Sequence, residues 1–229
     1  MMIAAILGAS FVVFLSAFAY SNPWLFGLDT GVDLSNIGVF NQHYMLDGEL
    51  KMVKEDIGAD FEAYRNHCLR VLTFTQFFIP PSVFEVYPNA MNIVAMALAF
   101  HDVALWTDGA LDYIDPSVAQ MELHVRKEGI WDQEQIDIAK EIILWHHKVT
   151  PYNGGSSEAI NDIVNAVRKA DWADASWGVI RWNLPAPLFE AAYQKIPEAG
   201  FHMILAGMGA RLSPDSYLGQ LAPLKIFKW

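Results

Sequence analysis

In NIVAMALAFHDVALW, residues 92–106, Asn92 is the one polar residue before a His-Asp pair, and Val103, Ala104, Leu105 and Trp106 follow it. A helix that is apolar nearly all round belongs in the middle of a core. An ionised Asp in that position is costly unless it is paired or bound to a metal. The stretch therefore predicts an all-α fold built around this helix, with partners for His101-Asp102 on neighbouring helices.

Working outward, the pattern stays helical. Phe61, Tyr64, Cys68, Val71 and Leu72 recur at three- and four-residue steps with His67 on the same side, and Pro80-Pro81 ends that helix. The central helix is expected over 89–107. A third starts at Asp115, read as an N-cap with Pro116 at the first helical position, and stops before Gly129. A fourth starts at Asp132, where Gln135 completes a capping box, and runs through IAKEIILWHH. Pro151 and Gly154-Gly155 break the chain before a fifth helix over 157–176, and shorter helices are expected over 187–195 and 201–211. Neither a strand pattern nor a repeat occurs.

Residues 1–20, MMIAAILGASFVVFLSAFAY, carry no charged side chain and have the length of a bilayer span. Ala17-Phe18-Ala19 has the small-x-small form of a signal-peptidase site. A signal peptide or membrane anchor is expected, leaving the protein membrane-anchored or exported. If the segment is instead a core helix, the protein is cytoplasmic. Residues 21–50, rich in Gly, Asn, Asp and Pro, read as a linker, and 51–229 as the helical domain.

The formal charge of −11 offers no basic stripe to a nucleic-acid polymer. A small anionic substrate remains compatible, because a bound metal reverses the local field. The single cysteine, Cys68, excludes an internal disulfide and reads as a structural thiol within an apolar helix. No Ser nucleophile elbow, P-loop or dinucleotide fingerprint is present.

Five of the seven histidines, His67, His101, His124, His146 and His147, fall between residues 67 and 147. Asp171 joins them on pattern: Ile160, Ile163, Val164, Val167 and Asp171 lie at offsets 0, +3, +4, +7 and +11, so this carboxylate projects from the buried stripe, with Asp174 close to the same face. Imidazole nitrogens with carboxylate oxygens suit Zn, Fe, Mn or Co, and the lack of thiolates excludes a Cys-type zinc site. The spacing of 34 residues from His67 to His101, and of 69 from Asp102 to Asp171, is too wide for a local metal loop. It describes one ligand per helix inside a bundle.

His67, His101-Asp102 and Asp171, in that order and with these gaps, resemble the HD-domain superfamily of metal-dependent phosphohydrolases. YRNHCLRV (64–71), AFHDVALWT (99–107), YIDPSVAQMEL (113–123), IILWHHK (142–148), VRKADWADAS (167–176) and GFH (200–202) resemble a subgroup of largely uncharacterised HD-domain hydrolases. The resemblance implies that His67, His101, Asp102 and Asp171 ligate one divalent metal, whether Mn, Fe, Zn, Co or Mg. It implies that His146 and His147 bind a second metal or contact substrate. His124 has two readings, as a ligand in dinuclear members or as a residue facing solvent or substrate; His43 and His202 are weaker candidates. The expected activity is hydrolysis of a phosphoester or nucleotide by a metal-activated water. His146, His147 and Lys148 are then the catalytic side chains that hold the phosphate, Arg65 is within sequence reach, and Trp106, Trp145 and Trp172 form a dry wall. The alternatives are a dinuclear oxygenase or lyase on the same scaffold, and a non-catalytic metal-containing binding module.

Overall fold

The computed structural model describes residues 37–212, so the expectations for residues 1–20 fall outside the described residues. The described chain is all-α, with no strand among these residues. Its helices are α1 (Tyr44–Ile57), α2 (Phe61–Phe78), α3 (Val83–Val86), α4 (Ala90–Phe100), α5 (Ala104–Thr107), α6 (Ile114–Glu128), α7 (Gln133–Trp145), α8 (Glu158–Ala175), α9 (Ala186–Lys195) and α10 (Phe201–Leu212).

The central helix is buried on every side. Ile93, Val94, Ala95, Met96, Ala97, Leu98 and Ala99 are all 0% exposed, which requires neighbours all round. Helices α1, α2 and α7 pack against it, with α6 and α8 alongside, while α2 lies along α8. The stretch 90–107 is apolar enough to cross a membrane by composition, yet 78% of it is buried within the fold. Fully burying a Leu or Met contributes about 1.5–3 kcal/mol. One uncompensated buried charge costs several kcal/mol, so this core tolerates His101-Asp102 only because the pair is compensated.

The expected continuous helix over 89–107 is interrupted at the pair. In an unbroken helix the Leu98 and Ala99 carbonyls would accept from the amides of Asp102 and Val103. Here His101 Nδ1 donates to Leu98 O at 2.7 Å, and the Tyr64 hydroxyl lies 3.1 and 3.3 Å from Leu98 O and Ala99 O. The Asp102 amide donates to that hydroxyl at 3.3 Å. The amides of Val103, Leu105 and Trp106 then bond three residues back, to Phe100, Asp102 and Val103. The chain tightens through His101-Asp102 before the helix resumes as α5.

Several boundaries also shift. The linker was expected to reach residue 50, but α1 begins at Tyr44, where His43 acts as N-cap: its ring accepts from the Leu46 amide and Asp47 takes the His43 N–H. Leu46, Glu49 and Leu50 are buried and belong to the bundle. Helix α6 starts at Ile114, so Asp115 lies inside its first turn rather than at the N-cap. Its end is as expected, with Gly129 in the left-handed region at φ 69°.

At α7 the Asp132–Gln135 capping box forms in both directions. Because it is exposed, its contribution is separable from packing. Asp132→Ala is expected to destabilise the fold by about 0.5–2 kcal/mol, read as a lower urea midpoint with an unchanged slope.

Candidate metal centre

Three elements bring the four predicted ligands together. His67 comes from α2, His101 and Asp102 from the tightened turn after α4, and Asp171 from α8. His67 Nε2 lies 3.2 Å from His101 Nε2 and 3.3 Å from Asp171 Oδ1. His101 Nε2 lies 3.2 Å from Asp102 Oδ2 and 3.8 Å from Asp171 Oδ1. His67, His101 and Asp102 form the tightest group, all buried and able to hold a metal ion, and Asp171 joins through the two histidines.

These spacings fit one cation. Ligands about 2.0–2.2 Å from a tetrahedral centre lie about 3.3–3.6 Å from one another, close to the three shorter contacts. The hydrogen bonding around the rings points the same way. His67 Nδ1 donates to Asp174 Oδ2 at 2.7 Å and His101 Nδ1 to Leu98 O, so each neutral ring presents an Nε2 lone pair to the other. Two facing lone pairs repel unless a proton or a metal lies between them. Asp102 Oδ1 is also buried without a hydrogen-bond donor among the described residues. His146 Nε2 lies 3.3 Å from it, but the proton of neutral His146 is on Nδ1, which donates to Ile143 O at 2.7 Å.

The charges around the centre are arranged for a positive guest. Burial opposes a charge on His67, but Asp171 and Asp174 outweigh it and raise its pKa above the ordinary value. Burial likewise opposes His101, and Asp102 raises its pKa well above that of free histidine. Burial would raise the Asp102 pKa, but His101 beside it holds it well below the usual range. In effect, protons stand where the carboxylates call for a cation.

Behind the ligands is a layer that fixes them. Asp174 is 0% exposed and accepts a fork from Arg70, Nε to Oδ1 at 2.6 Å and Nη2 to Oδ2 at 2.9 Å. Burial works against its charge, but Arg70 and then His67 keep its pKa far below the carboxylate norm. The Phe201 ring stacks on His67 with centroids 4.0 Å apart. Arg70, Phe201 and Tyr64 had no assigned role in the sequence reading. Asp174 was recoverable, since it lies one turn beyond Asp171 on the same helix face.

The other candidates separate clearly. His146 and His147 line the same cavity as the ligands, together with Tyr113. The Tyr113 hydroxyl is 3.4 Å from His146 Nε2 and 3.3 Å from His147 Nδ1. Lys148 does not line the cavity; its ammonium sits 4.0 Å over the Trp145 ring. Arg65 pairs with Asp47 at 2.6 Å. His124 faces Glu49 at 2.7 Å and Glu128 at 3.5 Å, a separate group on α1 and α6. His202 braces Glu198 and the Asp174 carbonyl. The expected tryptophan wall is absent from the lining: Trp106 Nε1 donates to Asp60, and Trp172 Nε1 donates to the His147 carbonyl. Indole N–H groups need acceptors, and these two find them in a side chain and a main-chain carbonyl without their rings entering the lining. Cys68 is buried with its thiol on Leu98 O, a structural role as expected.

Compared with protein-family models, with curated proteins and with solved structures, the chain matches none of them. The centre therefore stands on its own geometry.

Two expected outcomes follow from the layer behind the ligands. Asp174→Asn should weaken metal affinity by about 10–100-fold, although Asp174 is not in the ligand set. It should also cost about 3–5 kcal/mol of stability, because Arg70 is left buried and uncompensated. Calorimetric titration and denaturant unfolding read the two effects separately. Metal affinity should also rise with pH, because an ion must displace protons from His67 and His101. The rise should level off only above their elevated pKa values; titrations at stepped pH test this, and a flat profile across the histidine range would contradict it.

Proposed function

We propose that the chain is an HD-like metal-dependent hydrolase in which His67, His101, Asp102 and Asp171 hold one divalent ion and the bond cleaved is a phosphoester. The single observation that carries the reading is the convergence of two Nε2 lone pairs and two carboxylates, from three separate elements, beside a cavity. A divalent ion held there supplies Lewis acidity, lowering the pKa of water to near neutrality and polarising the phosphoryl group.

The chain's own residues account for the remaining tasks. Arg70 and Asp174 hold His67 in one tautomer and orientation. Leu98 O does the same for His101, and Ile143 O for His146. When the water oxygen bonds to phosphorus and the ester P–O bond breaks, the departing oxygen needs a proton. His147 and the Tyr113 hydroxyl line the cavity and are the groups placed to supply it, while His146, held by Ile143 O, presents its Nε2 lone pair to the Tyr113 hydroxyl.

A second reading has one observation in its favour. His146 Nε2 lies 3.3 Å from Asp102 Oδ1, which would let Asp102 bridge two ions. Metal stoichiometry distinguishes the readings, one per chain for the first and two for the second.

The test is Asp102→Ala in the full chain, assayed against a broad set of phosphoesters with metal content measured in parallel. The expected result is loss of both bound metal and phosphoester turnover, with the helical circular dichroism retained. Turnover that persists without metal, or fully metallated wild-type protein inactive on every phosphoester, would overturn the proposal.

A further inference from the structure

The cavity beside the ligand cluster measures about 220 Å³. Sites that take drug-sized ligands run to roughly 300–1,000 Å³, so this one suits a smaller molecule. Its lining combines polar groups, from His67, Asp102, Asp171, Tyr113, His146 and His147, with an apolar set of Leu105, Leu111, Phe201, Leu205 and Met208. Among the described residues, no Lys or Arg lines it.

The cations nearby are engaged elsewhere. Arg70 is forked onto Asp174, and Arg168 donates to the Lys148 and Val149 carbonyls with its guanidinium over Trp182. Lys148 lies over Trp145. One divalent ion offsets the charges of Asp102 and Asp171, which leaves His146, His147 and the Tyr113 hydroxyl facing the cavity for further anionic charge, enough for one phosphoryl group. A polyphosphate would bring several negative charges into an apolar enclosure, where each uncompensated one costs several kcal/mol. A nucleoside would bring base and sugar edges that the five apolar residues cannot hydrogen-bond, and unpaired polar groups are strongly rejected in such a site.

We propose that the substrate is a compact phosphomonoester with an apolar leaving group smaller than a nucleoside. Its phosphoryl group faces His67, Asp102, Asp171 and His146, and its apolar body lies on the wall formed by Leu105, Leu111, Phe201, Leu205 and Met208. This assignment rests on the hydrolase reading and narrows it.

The test compares phenyl phosphate with AMP and ATP on the metal-loaded full chain, and phenylphosphonate with AMP in direct binding by calorimetry. The expected kcat/KM for phenyl phosphate exceeds that for either nucleotide by more than about tenfold, since one methylene in an apolar pocket is already worth about 10–200-fold. Met208→Lys and Leu205→Lys should each lower that ratio and weaken phenylphosphonate binding, with metal content unchanged. Nucleotides turned over as well as phenyl phosphate or better, with Asp102→Ala inactive, would overturn the substrate class and leave hydrolysis standing. Phenylphosphonate binding that the Lys variants weaken, with no phosphoester cleaved, would overturn hydrolysis and with it the substrate proposal, leaving an apolar ligand pocket. Phenylphosphonate binding that is undetectable, or indifferent to the Lys variants, would overturn the pocket assignment itself.

Discussion

Nε2 of His67 and Nε2 of His101 face each other across 3.2 Å inside an apolar bundle, and much of the local architecture serves to keep them there. Neither ring can turn away. Asp174 holds one from behind and the Leu98 carbonyl holds the other. Asp174 in turn depends on the Arg70 fork, which also reaches the Pro197 carbonyl and so ties α2, α8 and the turn before α10 together. Several kcal/mol of buried charge are thus compensated in a chain from Arg70 to Asp174 to His67, which ends at a gap between the two rings that a proton or a metal ion can fill.

The same constraint explains the irregular backbone. The helix carrying His101 and Asp102 gives up its regular bonds at Leu98 and Ala99, and Tyr64 with the His101 ring takes over those carbonyls. That exchange sets both side chains of one dipeptide toward a single point, which a regular helix, with about 100° between successive residues, does not favour. Phe201 covers His67 from α10 and belongs to the apolar lining of the cavity, a low-dielectric surrounding that strengthens the charge interactions beside it.

Much of this was legible in the residues. The apolar run around His101-Asp102 marked the buried centre, the +11 offset placed Asp171 on a buried face, and Asp132 with Gln135 announced the start of α7. What escaped the sequence depends on contacts distant along the chain. His43 is an unusual N-cap, so a periodicity beginning at Lys51 missed the first turns of α1. The break in the central helix depends on Tyr64, 37 residues before His101, reaching its carbonyls. His124 has the spacing of a ligand, but Glu49 on α1 captures it, and nothing local to either residue reveals that pairing. Lys148 follows two cavity histidines, yet the reversal of the chain after α7 sends its ammonium over Trp145. Adjacency in sequence placed it at the site; the direction of the turn removed it.

The central claim is that these rings and carboxylates exist to hold an ion. Anomalous diffraction from crystals of the chain grown with manganese or zinc, measured at the metal's absorption edge, tests it most directly. The account predicts a peak about 2.0–2.2 Å from Nε2 of His67 and of His101, with oxygens of Asp102 and Asp171 in the same shell. A metal-saturated crystal with no peak there, or with its only peak at Glu49, His124 and Glu128, would contradict it.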